Sequence, residues 1–134
     1  TDLLPPWAQQ YDMRFVRGNP MAAPEKDSPP SETLHWICDR PERAIDFTSL
    51  CAICDSFFPR LFISTRQMVP FGTVTFTVYF HITQEELNEL DEPWVLGHAR
   101  ASKFHGSYFD QSGEVWGSNG NLLATTTQLV YYKY

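Results

Sequence analysis

In the stretch "FGTVTFTVYFH", Phe71 to His81, Val74, Phe76, Val78 and Phe80 alternate with Thr73, Thr75 and Thr77. A period of two predicts a strand that puts its apolar residues into a core and the threonines together on the other face. Further strands are predicted at Tyr11 to Val16, Thr33 to Cys38, Trp94 to Phe104, Ser107 to Trp116 and Leu122 to Tyr132. "SNGN" at Ser118 to Asn121 supplies the Asn-Gly turn between the last two. The period changes once, in "ERAIDFTSLCAICDSFFPRLF": Ile45, Leu50, Ile53, Cys54, Phe57 and Phe58 recur at helical spacing until Pro59. That spacing predicts a largely buried helix from about Asp46 to Phe58. "TQEELNELDEP" reads as an acidic helical turn on the surface. One buried helix among five or six antiparallel strands is an α+β arrangement, with the sheet wrapped around the helix.

Composition narrows this picture. A chain of 134 residues, 43% hydrophobic and 15% aromatic, suits one compact domain with a proper core. The formal charge of -6 argues against a nucleic-acid or anionic-membrane partner, because binding phosphates needs clustered cations. No apolar run approaches membrane-spanning length, and no signal peptide is visible, so a soluble chain is expected. Residues 1–31, with "TDLLPPW" and "NPMAAPEKDSPPS", read as a linker-like segment holding a short strand and a proline-rich loop from Asn19 to Ser31. Residues 32–134 carry the folded domain. Thr1 is expected to be a processed end rather than an N-terminal nucleophile.

Cys38, Cys51 and Cys54 cannot all pair within one chain, and "CAIC" has no second metal-type pair beside it. Free thiols in a reducing, intracellular compartment are expected, without distinguishing cytoplasm from peroxisome. His35, His81, His98 and His105 lack metal-ligand spacing, so no metal is expected. His81, after Phe80 at a strand end, is expected to be a structural polar tip bonded near the sheet rim.

Three motifs, "CAICDSFFP", "GTVTFTVYFH" and "LLATTTQLVYYK", stand in an order and spacing that resemble the carboxy-terminal half of the acyl-CoA thioesterase II family of double hot-dog enzymes. The likeness runs from Thr33 to Lys133. It implies a hot-dog fold, with the sheet around one long central helix. In that family an aspartate, a threonine and a glutamine bind and activate the hydrolytic water. Matched motif by motif they fall on Asp55, Thr73 and Gln128.

Thioester hydrolysis needs a water held near the carbonyl carbon and relieved of a proton as it attacks, which suits a carboxylate assisted by a hydroxyl and an amide. Asp55 lies in an apolar stretch, so burial is expected to raise its pKa. An aspartate there could also cap the helix or pair with Arg60. Phe57, Phe58, Phe71 and Trp116 are candidates to line an acyl pocket. Arg40, Arg43, Arg60, Arg66, Arg100 and Lys103 are candidates to meet coenzyme A phosphates, the coenzyme being part of the substrate rather than a separate cofactor. The resemblance further implies a second hot-dog half as partner, either the same chain in a homodimer or a related or cleaved fragment. Two other readings stay open: a non-catalytic half that completes a partner's site, and a specialised dehydratase, isomerase or acyltransferase.

Overall fold

The computed structural model describes residues 5–23 and 31–133. Thr1 and most of the proline-rich loop lie outside the described residues. Seven strands form one antiparallel sheet: β1 Tyr11–Arg17, β2 Thr33–Asp39, β3 Phe71–Phe80, β4 Val95–Arg100, β5 Phe104–His105, β6 Tyr108–Gly117 and β7 Leu122–Tyr132. Their spatial order is β1-β2-β4-β6-β7-β3, with β5 paired to β6. The helices are α1 Phe47–Cys54, α2 Arg60–Thr65 and α3 Gln84–Asn88, and a short 3-10 turn, Pro6–Gln10, leads into β1. The α+β arrangement expected from the pattern is the one observed. Although it falls in the segment expected to be linker-like, β1 pairs with β2 and is part of the sheet.

α1 lies across the inner face of the sheet, where Leu50, Ile53 and Cys54 pack on Ile37, Val95, Ala99, Val115, Leu123 and Ala124. Complete burial of such a side chain is worth about 1.5–3 kcal/mol, so this cluster carries much of the stability. The helix starts on Asp46, whose carboxylate accepts from the Ser49 backbone N–H at 2.7 Å.

The expected helix to Phe58 ends earlier, at Cys54, with Asp55 as its C-cap. The Ile53 carbonyl at the helix end accepts from both the Ser56 backbone N–H at 3.0 Å and Ser56 Oγ at 2.6 Å, which closes the last turn. Pro59 in turn disfavours helical backbone at Phe58. α2 then begins directly after Pro59, so two short helices stand where one long one is expected. The break frees Phe57 to lay its ring on the sheet over Gly97 of β4 and Gly113 of β6. A Cβ added at Gly97 would stand 2.7 Å from Phe57 Cε1, and one at Gly113 would stand 2.9 Å from Cε2.

The predicted strand Trp94 to Phe104 is also divided. The Asp110 carboxylate accepts from the Ser102 N–H at 2.9 Å and the Lys103 N–H at 2.8 Å, which bends the chain between β4 and β5. The Asn-Gly turn joins β6 to β7 as predicted, with Gly120 at a φ of 88°.

The largest departure is in β3. Thr73 pairs with Val130, but Thr75 pairs with Leu129, so a β-bulge lies between them at Val74. Residues opposite one another in an antiparallel pair share a face. Thr73 therefore faces inward beside buried Val130, whereas Thr75 and Thr77 lie opposite exposed Leu129 and Thr127 on the outer face. The three threonines do not share one face, as unbroken alternation predicts, because the extra residue reverses the sense of the strand.

Since the Phe57 ring fills the space over both glycines, Gly97→Ala is expected to cost about 1–3 kcal/mol through overpacking. Thermal melting of the variant checks this. An unchanged melting temperature would mean the ring moves aside freely.

Candidate functional site

The bulge, the end of α1 and the inner face of β7 meet at a cavity of about 430 Å³, within the range of small-molecule sites. Its polar lining is Asp55, Ser56, Thr73, Gln111 and Gln128, and its apolar walls include Trp7, Phe57, Phe71 and Val130. Tyr11 lines it as well. The three residues carried by the resemblance thus face one space from three elements: Asp55 from the C-cap of α1, Thr73 from β3, Gln128 from β7.

Gln128 Nε2 donates to Thr73 Oγ1 at 2.6 Å. Gln111 Nε2, from β6, donates to Gln128 Oε1 at 3.3 Å, and the Arg60 backbone N–H donates to Gln111 Oε1 at 3.2 Å. Both glutamines are buried, so these bonds satisfy amides that would be costly to leave unpaired.

Asp55 itself is exposed rather than enclosed. Partial burial against the cavity still raises its carboxyl above the ordinary value of 3.8. It does not pair with Arg60. The Arg60 guanidinium is wholly buried and donates to the carbonyls of Phe58, Ser31 and Ala99 and to Thr33 Oγ1. Burial lowers its pKa to about 9, so it remains a cation at neutral pH. Enclosed in this way, it cannot reach a coenzyme A phosphate. Arg43 pairs with Asp46 at 2.6 Å and Arg40 with Asp12 at 3.9 Å.

Of the four candidate pocket aromatics, Phe57 and Phe71 line the cavity. Phe58 turns away, its ring centroid 5.2 Å from that of Trp7, and lines a separate concavity beside Met13, Phe15 and Arg40. Trp116 lies with Trp36 and Leu96 along a third concavity that does not include Asp55. Its side chain follows the outward alternation of β6, between inward Val115 and Gly117.

His81 Nε2 lies 2.9 Å from Thr125 Oγ1 just beyond the end of β3. Burial pushes the Cys54 thiol up to about 12, which leaves it protonated and a poor nucleophile or metal ligand. Among the described residues no three His, Cys, Asp or Glu side chains are grouped to hold a metal. No described helix is long and apolar enough to cross a membrane.

Gln111, Ser56, Trp7 and Tyr11 also line the cavity. For Gln111 a signal existed in the sequence. In "YFDQSGEVWG" the positions Phe109, Gln111, Gly113, Val115 and Gly117 alternate inward, and Gln111 is the one long polar side chain among them.

Burial raises the Asp55 carboxyl, so the folded chain holds that proton more tightly than the unfolded chain. Stability associated with this group is therefore lost as pH rises through its folded pKa. Asp55→Asn is expected to melt no lower than the parent at neutral pH, with any difference shrinking as pH falls toward the ordinary carboxylate range. A variant clearly less stable at neutral pH would show that the carboxylate is needed for the fold.

Comparison with known proteins places these features in a family. Residues 1–132 match the family model described as acyl-CoA thioesterase C-terminal domain. No curated protein matches the chain. A conserved protein of unknown function with hot dog fold from Alicyclobacillus acidocaldarius is 44% identical, with a TM-score of 0.88, over 98% of this chain and 49% of that one. The acyl-CoA thioesterase II TesB2 from Mycobacterium marinum is 16% identical, with a TM-score of 0.60, over 99% of this chain and 53% of that one. A hypothetical thioesterase from Streptococcus pneumoniae, solved with coenzyme A, is 8% identical, with a TM-score of 0.60, over 93% of this chain and 87% of that one. The chain thus spans about half the length of the first two of these proteins. Its antiparallel sheet around α1 is the hot-dog fold, and the chain belongs to the acyl-CoA thioesterase C-terminal domain family.

Proposed function

We propose that this domain is the catalytic half of an acyl-CoA thioesterase, in which Asp55, Thr73 and Gln128 activate a water against the thioester. The observation that carries this reading is the Gln128–Thr73 hydrogen bond at the wall of a cavity whose mouth bears Asp55. Asp55 accepts a proton from the water as its oxygen bonds to the carbonyl carbon. Collapse of the tetrahedral intermediate breaks the C–S bond, and the coenzyme A thiolate takes the proton held by Asp55, which restores the carboxylate. Burial raises this carboxyl above 3.8, which makes it a better base than an ordinary aspartate. Phe57, Phe71 and Val130 offer an apolar wall for the acyl chain. The coenzyme A in the Streptococcus pneumoniae structure agrees with an acyl-CoA substrate.

A second hot-dog half completes the site in this reading, as the same chain or a related one. β3 ends the sheet with an unpaired edge and leaves Phe71, Val74, Tyr79 and Phe80 exposed. The exposure of Asp55 and the half-length span also fit the alternative, a non-catalytic half that completes a partner's site.

Release of free thiol from a panel of acyl-CoA esters decides between them. Asp55→Asn is expected to lower turnover about 100-fold to 10,000-fold, the usual range of general-base assistance. Thr73→Val and Gln128→Ala, which remove positioning contacts, should lower it less. Thr75→Val, on the outer face beyond the bulge, should leave turnover nearly intact. If Asp55→Asn hydrolyses as the parent does, the catalytic reading is wrong. For the assembly, sedimentation should give a dimer, or a pair with a related chain. A monodisperse monomer with full activity would overturn the need for a second half.

A further inference from the structure

The hydrogen bonds behind the cavity run in one direction. They start at a group whose polarity cannot be reversed. The Arg60 backbone N–H can only donate, so the atom of Gln111 that meets it at 3.2 Å must be the amide oxygen. That leaves the Gln111 NH₂ group for Gln128, 3.3 Å away, and Gln128 must offer its oxygen in return. The Gln128 NH₂ group is then the part that reaches Thr73, and at 2.6 Å Thr73 Oγ1 must accept. Each amide has two possible orientations, and the one chosen at Gln111 propagates to the threonine.

The consequence lies in the cavity. A hydroxyl that accepts from Gln128 keeps its own proton for something else, and Thr73 lines the space shared with Asp55. We infer that Gln111 is a positioning residue: it sets the amide of Gln128 so that the Thr73 hydroxyl donates its proton into the cavity, toward a bound water or thioester oxygen. With the amide of Gln128 reversed, its oxygen would face Thr73, the hydroxyl would spend its proton on that oxygen, and the cavity would lose a donor. Gln111 is nearly inaccessible, at 4% exposure, so solvent does not scramble this order. The role rests on the thioesterase reading, because only a reaction makes the donor's direction matter.

Gln111→Glu tests it with little change of volume. An ionised carboxylate at this position still accepts from the Arg60 N–H but can only accept from Gln128, so at a pH above its burial-raised pKa it forces the Gln128 amide to reverse. The expected result is a fall in kcat of about 10-fold or more with KM unchanged, the scale of a lost donor at a reacting oxygen. A second, uncharged variant, Gln111→Met, removes the relay without burying a charge and guards against a Gln111→Glu chain that does not fold. In both, melting curves establish the folded state before kinetics are read.

The readout that a merely structural role would not move is coupling. Added to Thr73→Val, either Gln111 variant should cause no further loss, because the hydroxyl through which it acts is gone. Losses that multiply in the double variant, or that appear in KM rather than kcat, would overturn the positioning role. So would an undiminished kcat in a chain where Thr73→Val is impaired. If hydrolysis is absent or indifferent to Asp55→Asn and Thr73→Val, it is the thioesterase reading that fails. Neutron diffraction from the deuterated protein tests the relay apart from activity. A Gln128 deuteron aimed at Thr73 and the Thr73 deuteron aimed into the cavity are expected, and the reverse arrangement refutes the inference.

Discussion

The seat of the Phe57 ring on Gly97 and Gly113 is the contact on which the site depends. Only glycine leaves room for an aromatic ring to approach the sheet this closely, and two glycines on neighbouring strands make one continuous seat. To reach it, the chain must leave the helix after Cys54. That departure places Asp55 at a helix end, where its carboxylate can stand at a cavity mouth. It also puts Pro59 and α2 where the backbone N–H of Arg60 meets Gln111. Asp55, the proposed general base, and the anchor of the amide chain are thus positioned by one packing event.

Arg60 makes that position costly to lose. A buried guanidinium is tolerated only when its donors are satisfied, and here neutral carbonyls and one hydroxyl take the place of a carboxylate partner. Those acceptors come from Ser31, Thr33, Phe58 and Ala99, so the side chain ties the start of β2 and the end of β4 to α2. His35, nearby on β2, stays neutral because burial, aided by the Arg60 cation, lowers its pKa to about 3. One buried cation is all this region holds, and the neighbouring imidazole yields.

Much of the fold was legible in the sequence because its cause is local. Alternation along β2, β6 and β7, the helical period through Leu50 and Ile53, and the Asn-Gly turn each declare themselves within a few residues. The residues that resemble the thioesterase motifs, Asp55, Thr73 and Gln128, could be named before any geometry. What alternation misassigned was the face of Thr73, since a bulge is set by how β3 registers on β7 and leaves no mark in a run of alternating threonines. The end of α1 was misplaced because Phe57 and Phe58 continue the helical spacing while their actual partners, Gly97 and Trp7, lie far away in sequence. The cavity wall supplied by Trp7 and Tyr11 was hidden for the same reason. It depends on β1 pairing into the sheet: the strand itself was legible at Tyr11 to Val16, but its pairing with β2 was not.

The exposed edge and the exposed carboxylate belong to one region. Phe71 lies on the edge strand β3 and also on the wall of the cavity that Asp55 borders, so whatever covers that edge alters the surroundings of Asp55. In the proposed assembly a second half would take water away from Asp55, and desolvation disfavours the charged form of a carboxylate. The pKa already raised in the single chain would rise further, toward the operating range of a general base. Proton acceptance and association would then be thermodynamically linked. A covered Asp55 would bind its proton more tightly than an uncovered one, and protonation would in turn favour the covered state. The proposed mechanism uses ionised Asp55, so under it an assembled site would trade some ease of association for a stronger base.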